Sequence, residues 1–129
     1  MRDGDDVTII TCGIMLPRAL DAADELATEG ISARVINMSS IKPLDEEAIL
    51  GAASETGCIV TAENHNVLGG LGSAVAEVVT SRLPVPVLRV GIHDAFGEVG
   101  TPDWLAKKFR IGSTHIAQAA RDALAHKRV

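Results

Sequence analysis

Aromatic side chains are almost absent from this chain. Of 129 residues, only Phe96, Trp104 and Phe109 are aromatic, and there is no tyrosine. Single-stranded nucleic acid is held by stacking on aromatic rings above a coherent basic groove. Here the rings are missing, the formal net charge is −5, and the basic residues are scattered. Arg18, Arg34, Arg82 and Arg89 stand apart, with small clusters only at Lys107, Lys108 and Arg110 and at Lys127 and Arg128. Without a face that displaces counterions, nucleic-acid binding is excluded as an expectation. Cysteine is equally scarce. Cys12 and Cys58 each sit in or beside an apolar run, where a thiol behaves as a small hydrophobe. Two cysteines make no disulfide scaffold in a domain of this size. The histidines, His65, His93, His115 and His126, show no repeated ligand spacing, so no metal site is expected. No apolar run approaches the roughly 20 residues of a membrane span, and no charged-then-apolar leader opens the chain. The expectation is a soluble, cytoplasmic protein with no membrane partner.

What the chain does have is apolar content, 47% of its residues. That suffices for the core of one ordinary domain covering residues 1–129. Strand-like and helix-like segments alternate. Val7–Thr11 is β-branched throughout, as suits a strand covered on both faces. From Leu16 to about Thr28, Leu16, Ala19, Leu20, Ala23, Leu26 and Ala27 recur at helical spacing, and Gly30 follows in a left-handed capping position. Ala33–Asn37 predicts a second strand, followed by a loop over 39–43. Asp45 predicts an N-cap for a helix over Glu46–Glu55. Gly57–Ala62 predicts a third strand, Asn66–Gly72 a glycine-rich loop, and Ser73–Ser81 a helix burying Val75, Val78 and Val79. After Pro84 and Pro86, Val87–Gly91 predicts a fourth strand. A loop over His93–Gly100 leads to a helix start at Thr101–Pro102 and a short helix over Asp103–Lys108. Ser113 or Thr114 caps a last helix, with Ile116, Ala119, Ala120, Ala123 and Leu124 inward and Lys127 and Arg128 at its C-terminal end. Strand–helix repetition predicts an α/β fold: an open sheet of four parallel strands between two helical layers.

In such a sheet ligands meet the carboxyl ends of the strands. Those ends offer Cys12 and Gly13, Asn37 and Ser39, then Glu63-Asn64-His65-Asn66, then His93 and Asp94. Glu63 and His65 stand two apart, so persistent strand geometry would place both on one side. They form either an acid–base pair or a hydrogen-bonded pair between domains. His93 and Asp94 are adjacent and point to opposite sides of an extended chain. The stretch Asn66, Gly69, Gly70, Gly72, Ser73 admits two readings. One is an anion site at a helix N-terminus; the other is a tight strand-to-helix connection with Ser73 near the cap. Val75 stands where the dinucleotide fingerprint needs its third glycine, and no Gly-Lys-Ser/Thr follows. No serine sits in a nucleophile elbow.

Several segments, in order, resemble the transketolase C-terminal domain. Asp6–Gly13, with the helix ending at Glu29-Gly30-Ile31, resembles its opening. Val35–Asp45 is similar to its second strand and Lys-Pro-Leu-Asp turn. Thr61–Asn66 with Gly69–Glu77 resembles its Glu-x-His and Gly-Gly-x-Gly-Ser segment, and Phe96–Pro102 is like its late loop. The resemblance implies a section of a thiamine-diphosphate-dependent enzyme that moves a two-carbon ketol unit between sugar phosphates. It implies that thiamine diphosphate and Mg²⁺ are held by N-terminal and pyrimidine-binding domains, not by this chain, and that this section supports assembly of a dimer or other homo-oligomer and is inactive alone. Deoxyxylulose-phosphate synthase and the β subunit of 2-oxo acid dehydrogenases share the domain and stay open as alternatives. A small-anion module and a protein-docking module are readings of another class. The family also carries an antiparallel edge strand just before the position of Asp3, which is expected to be truncated here.

Overall fold

Central to the computed structural model, which describes residues 2–11, 15–38, 45–66, 71–92 and 113–127, is a four-stranded sheet in the order β2-β1-β3-β4. Its strands are β1 (Val7–Thr11), β2 (Ala33–Asn37), β3 (Ile59–Asn66) and β4 (Val87–Ile92). All three pairings are parallel, with Val7 opposite Ala33, Ile9 opposite Val60 and Thr61 opposite Arg89. The helices among the described residues are α1 (Leu16–Ala27), α2 (Glu46–Thr56), α3 (Leu71–Arg82) and α4 (Ser113–His126). The α/β sandwich predicted from the alternation of segments is therefore the fold.

The β-branched run of β1 is buried at every position because it is covered on both faces. Alternation sends Val7 and Ile9 into one core with Ala19, Ala22, Ala23 and Leu26 of α1 and Ile116, Ala117, Ala120 and Ala123 of α4. It sends Ile10 into a second core with Ile49 and Ala53 of α2 and Leu71, Val75, Val78 and Val79 of α3. Each fully buried isoleucine contributes about 1.5–3 kcal/mol. The expected inward faces hold with small rotations: Ala27 is exposed and Ala22 takes its place, while Ala119 and Leu124 are half-buried against the first core.

Local signals set the helix ends. Asp45 accepts a hydrogen bond from the Ala48 N–H at 3.1 Å, the expected cap of α2. Gly30 and Gly57 take φ of +78° and +76° where the chain leaves α1 and α2. Several boundaries differ from expectation: β3 begins at Ile59, with Gly57 capping α2, and Ser113 and Thr114 lie inside α4 rather than capping it. β3 continues through Glu63–Asn66, and α3 begins at Leu71, so Gly72 and Ser73 lie inside the helix. Cys58 is fully buried, as expected of a small hydrophobe, and burial pushes its thiol pKa up. The predicted loops at 39–43 and 93–100, the helix start at Thr101 and Pro102, the short helix over 103–108, and Cys12 and Gly13 lie outside the described residues.

Along the outer edge of β2, Arg2 forms an antiparallel bridge with Val35. Both bonds are made: Arg2 N–H to Val35 O at 3.1 Å and Val35 N–H to Arg2 O at 2.8 Å. The expected antiparallel edge strand is thus represented by this single bridge among the described residues.

Candidate functional site

The order β2-β1-β3-β4 reverses between β1 and β3. α1 leaves β1 over one face and α3 leaves β3 over the other. Such a switch opens a crevice at the carboxyl ends of those two strands. α4 runs back toward the amino ends, since Lys127 just beyond it donates to Asp6 O at 3.2 Å, below β1. The N-terminal turns of α1, α3 and α4 are therefore all at the carboxyl edge.

Glu63, the largest polar feature there, is 1% exposed. Its Oε1 accepts the Leu71 N–H at 3.1 Å and its Oε2 accepts the Gly72 N–H at 2.6 Å. These are two of the N–H groups that open α3, which have no partner within the helix. Both carboxyl oxygens act as acceptors, the arrangement of an ionised carboxylate, and the positive end of the helix dipole offsets the buried charge. β3 presents Glu63 to α3 because Thr61 and Glu63 alternate onto that face.

Around this contact stand residues that local sequence patterns did not single out. Thr61 is fully buried, and its Oγ1 has no hydrogen-bond partner among the described residues. A Cβ on Gly72 would lie 2.9 Å from that oxygen and 3.0 and 3.1 Å from Cδ and Cγ of Arg89. Arg89, opposite Thr61 on β4, therefore passes directly over the first turn of α3, and its Nη1 donates to Ser73 Oγ at 3.4 Å. Gly72 is a packing glycine: it brings the head of α3 against β3 and β4. Thr11 Oγ1, at the carboxyl end of β1, and His115 Nδ1, in the first turn of α4, are likewise buried without a partner among the described residues.

Of the residues singled out in the sequence, Glu63, Gly72 and Ser73 are brought together at the head of α3. The backbones of His65 and Asn66 belong to β3, with Asn66 paired to Ile92. A register shift falls between Ala62 and Asn66. The His65 side chain, and with it the expected shared side for Glu63 and His65, lies outside what the structure describes. Gly69, Gly70, His93 and Asp94 lie outside the described residues. A carboxylate near the end of a strand, followed by a glycine-rich helix start, is the signal by which Glu63's contact could have been found.

At the opposite, amino end of the sheet is an open cavity of about 790 Å³. Ala53, Gly57, Leu83, Pro84, Pro86 and His126 line it, and Leu83 is 37% exposed. Ser54 and His126 are the polar side chains of its described lining, and no carboxylate joins them. No described helix is long and apolar enough to cross a membrane.

Residues 1–116 match the family described as transketolase, C-terminal domain. The 6-deoxy-6-sulfo-D-fructose transketolase subunit SqwH of Clostridium sp. (strain MSTE9) is 51% identical over 127 residues, covering 98% of this chain and 39% of that protein. The 1-deoxy-D-xylulose-5-phosphate synthase 1 of Geobacter sulfurreducens is 46% identical over 129 residues, 98% of this chain and 20% of that enzyme. A solved structure described as split gene transketolase, inactive beta4 tetramer, superposes with a TM-score of 0.94 at 49% identity, over 98% of this chain and 42% of that one. The chain thus spans about two-fifths or less of the proteins it resembles. With its sheet, its helix order and nearly its whole length matched, the chain belongs to the transketolase C-terminal domain family.

Proposed function

We propose that this chain is the C-terminal section of a split transketolase that transfers a two-carbon ketol unit between anionic sugars, and that it is inactive alone. The observation that carries the proposal is the likeness, over 98% of the chain, to a split-gene transketolase subunit that is itself described as an inactive tetramer. The 51% identity to a sulfofructose transketolase subunit supports the same reaction type. It also widens the substrate from sugar phosphates to sugars bearing another terminal anion.

The intact enzyme would use thiamine diphosphate and Mg²⁺; the cofactor supplies the carbanion chemistry, and protein orients and shields it. The described residues of this chain do not fit that group. They contain no cluster of three or more His, Cys, Asp or Glu able to hold a metal. The buried carboxylate of Glu63 is already engaged by two backbone N–H groups. The proposal therefore assigns cofactor and metal to a partner section carrying the N-terminal and pyrimidine-binding domains. It gives this chain the role of completing the assembly, as a homo-oligomer that pairs with that partner. Glu63, Gly72 and Ser73 would lie along the carboxyl edge that meets it.

A second reading, a section of a deoxyxylulose-phosphate synthase, has the 46% identity to the Geobacter enzyme in its favour. Product analysis separates the two. The chain is mixed with its partner section, thiamine diphosphate and Mg²⁺, and offered ketose donors with phosphate or sulfonate termini. Two-carbon transfer that needs both sections supports the transketolase reading, whereas accumulation of deoxyxylulose phosphate replaces it with the synthase.

A further inference from the structure

Helix N-termini attract anions because their first N–H groups are unpaired and the dipole is positive there. At the head of the twelve-residue α3 that place is taken by the chain's own side chain. Glu63 reaches eight and nine residues forward to the Leu71 and Gly72 N–H groups and is shut off from solvent. A second feature points the same way. Thr61 Oγ1, fully buried and without a partner among the described residues, sits within the same first turn, 2.9 Å from where a Gly72 Cβ would stand. The helix head thus combines two backbone donors, one idle hydroxyl and a glycine whose missing Cβ lets Thr61 and Arg89 pack close. This is how a carboxylate- or phosphate-binding site is built, except that its anion is covalently attached.

We infer that Glu63 is the resident anion of a small-carboxylate site at the head of α3: it acts as a positioning residue that ties β3 to α3, not as a proton-transfer group, and the emptied pocket takes formate. The inference stands on this chain's own residues and does not rest on the proposed reaction. It joins the two readings left open by the sequence. At its described end, Leu71 and Gly72, the strand-to-helix tie and the anion site are the same contact. Substituting Glu63 removes the tether and leaves Leu71, Gly72 and Thr61 with donors to offer.

The test compares the protein with its Glu63→Gly variant by thermal unfolding in chloride and in formate of equal ionic strength. The midpoint of the variant is expected to fall by roughly 5–10 °C in chloride. Formate is expected to restore several degrees of it while leaving the unsubstituted protein unmoved, and Thr61→Val in the variant background is expected to weaken that rescue. A variant that responds to formate no more than the unsubstituted protein does overturns the inference. Should Glu63→Gly not fold, Glu63→Gln decides by amide hydrogen exchange. A carboxamide has only one acceptor oxygen, so the Leu71 or the Gly72 N–H is expected to exchange about tenfold faster. Equal protection of both amides in Glu63→Gln and the unsubstituted protein also overturns it.

Discussion

Thr8 and Thr56 meet inside the sandwich, where a hydroxyl is tolerated only with a partner. Their Oγ1 atoms are 2.8 Å apart. Thr56, at the end of α2, also reaches Ala52 O at 2.8 Å and Cys58 O at 3.1 Å. The pair is therefore asymmetric. Thr8→Val removes one hydrogen bond and leaves Thr56 its carbonyl partners. Thr56→Val strands the buried Thr8 hydroxyl, while Cys58 O keeps the Thr8 N–H at 3.1 Å. We predict that Thr8→Val costs about 1 kcal/mol and Thr56→Val about 2–3 kcal/mol, since an unsatisfied buried group costs more than a lost bond. We also predict that the double substitution costs less than the sum of the two. Urea unfolding of the three variants reads all of this; equal losses for the two single variants would contradict the asymmetry.

At the surface of the joint between α1 and α4, Arg121 reaches back to Glu25 at 3.1 Å and also pairs with Glu29. Hydrogen bonding from Arg121 holds the Glu29 carboxyl below its ordinary value of 4.5, partly opposed by desolvation. A carboxylate with a depressed folded pKa contributes stability above its unfolded value and loses it as pH falls through the folded value. Stability is therefore predicted to drop on the acid side of about pH 4.5. Arg121→Gln removes this part of the acid limb and the salt sensitivity of the joint. Thermal unfolding from pH 3 to 7 measures it, and an unchanged acid limb in Arg121→Gln would refute it. The N-terminal segment on β2 depends on Gly4, where a Cβ would stand 2.3 Å from Ala33 C and 2.4 Å from Arg34 N. Backbone cannot retreat, so Gly4→Ala is expected to lift the segment away and expose the Val35 N–H, which now donates to Arg2 O at 2.8 Å. Amide exchange at Val35 should then accelerate at least about tenfold; unchanged protection would mean that the segment adapts. At this scale, much of the fold was legible. The β-branched Val7–Thr11, Asp45 before its helix, and Gly30 after one are local signals, and each marks a real element. The continuation of β3 through Glu63–Asn66 was not legible, because polar residues of low strand preference are held there by pairing with β4. The start of α3 at Leu71 was hidden likewise. Glycine reads locally as loop, and the capping carboxylate comes from eight residues upstream, outside the span in which an N-cap is sought.

Among the described residues of the whole molecule, the cores on both faces of the sheet are closely covered, and Leu83 is the exposed large apolar side chain. Thr11, Thr61 and His115 nonetheless keep buried polar atoms without partners in the described residues, and all three lie on the carboxyl side of the sandwich. Of the candidate site, the sequence located that edge and named Glu63. The contact Glu63 makes depends on how strand and helix are stacked in space, and its trace in the sequence is a strand-end carboxylate before a glycine-rich helix start. Under the proposed function this section docks on a partner section that carries the chemistry. The most direct test is a titration of this chain into its partner section, with thiamine diphosphate, Mg²⁺ and a ketose donor, following two-carbon transfer. The account predicts no transfer by either section alone and activity that rises with added chain to a plateau at a fixed stoichiometry. Transfer by this chain alone, or a partner fully active without it, would contradict the account.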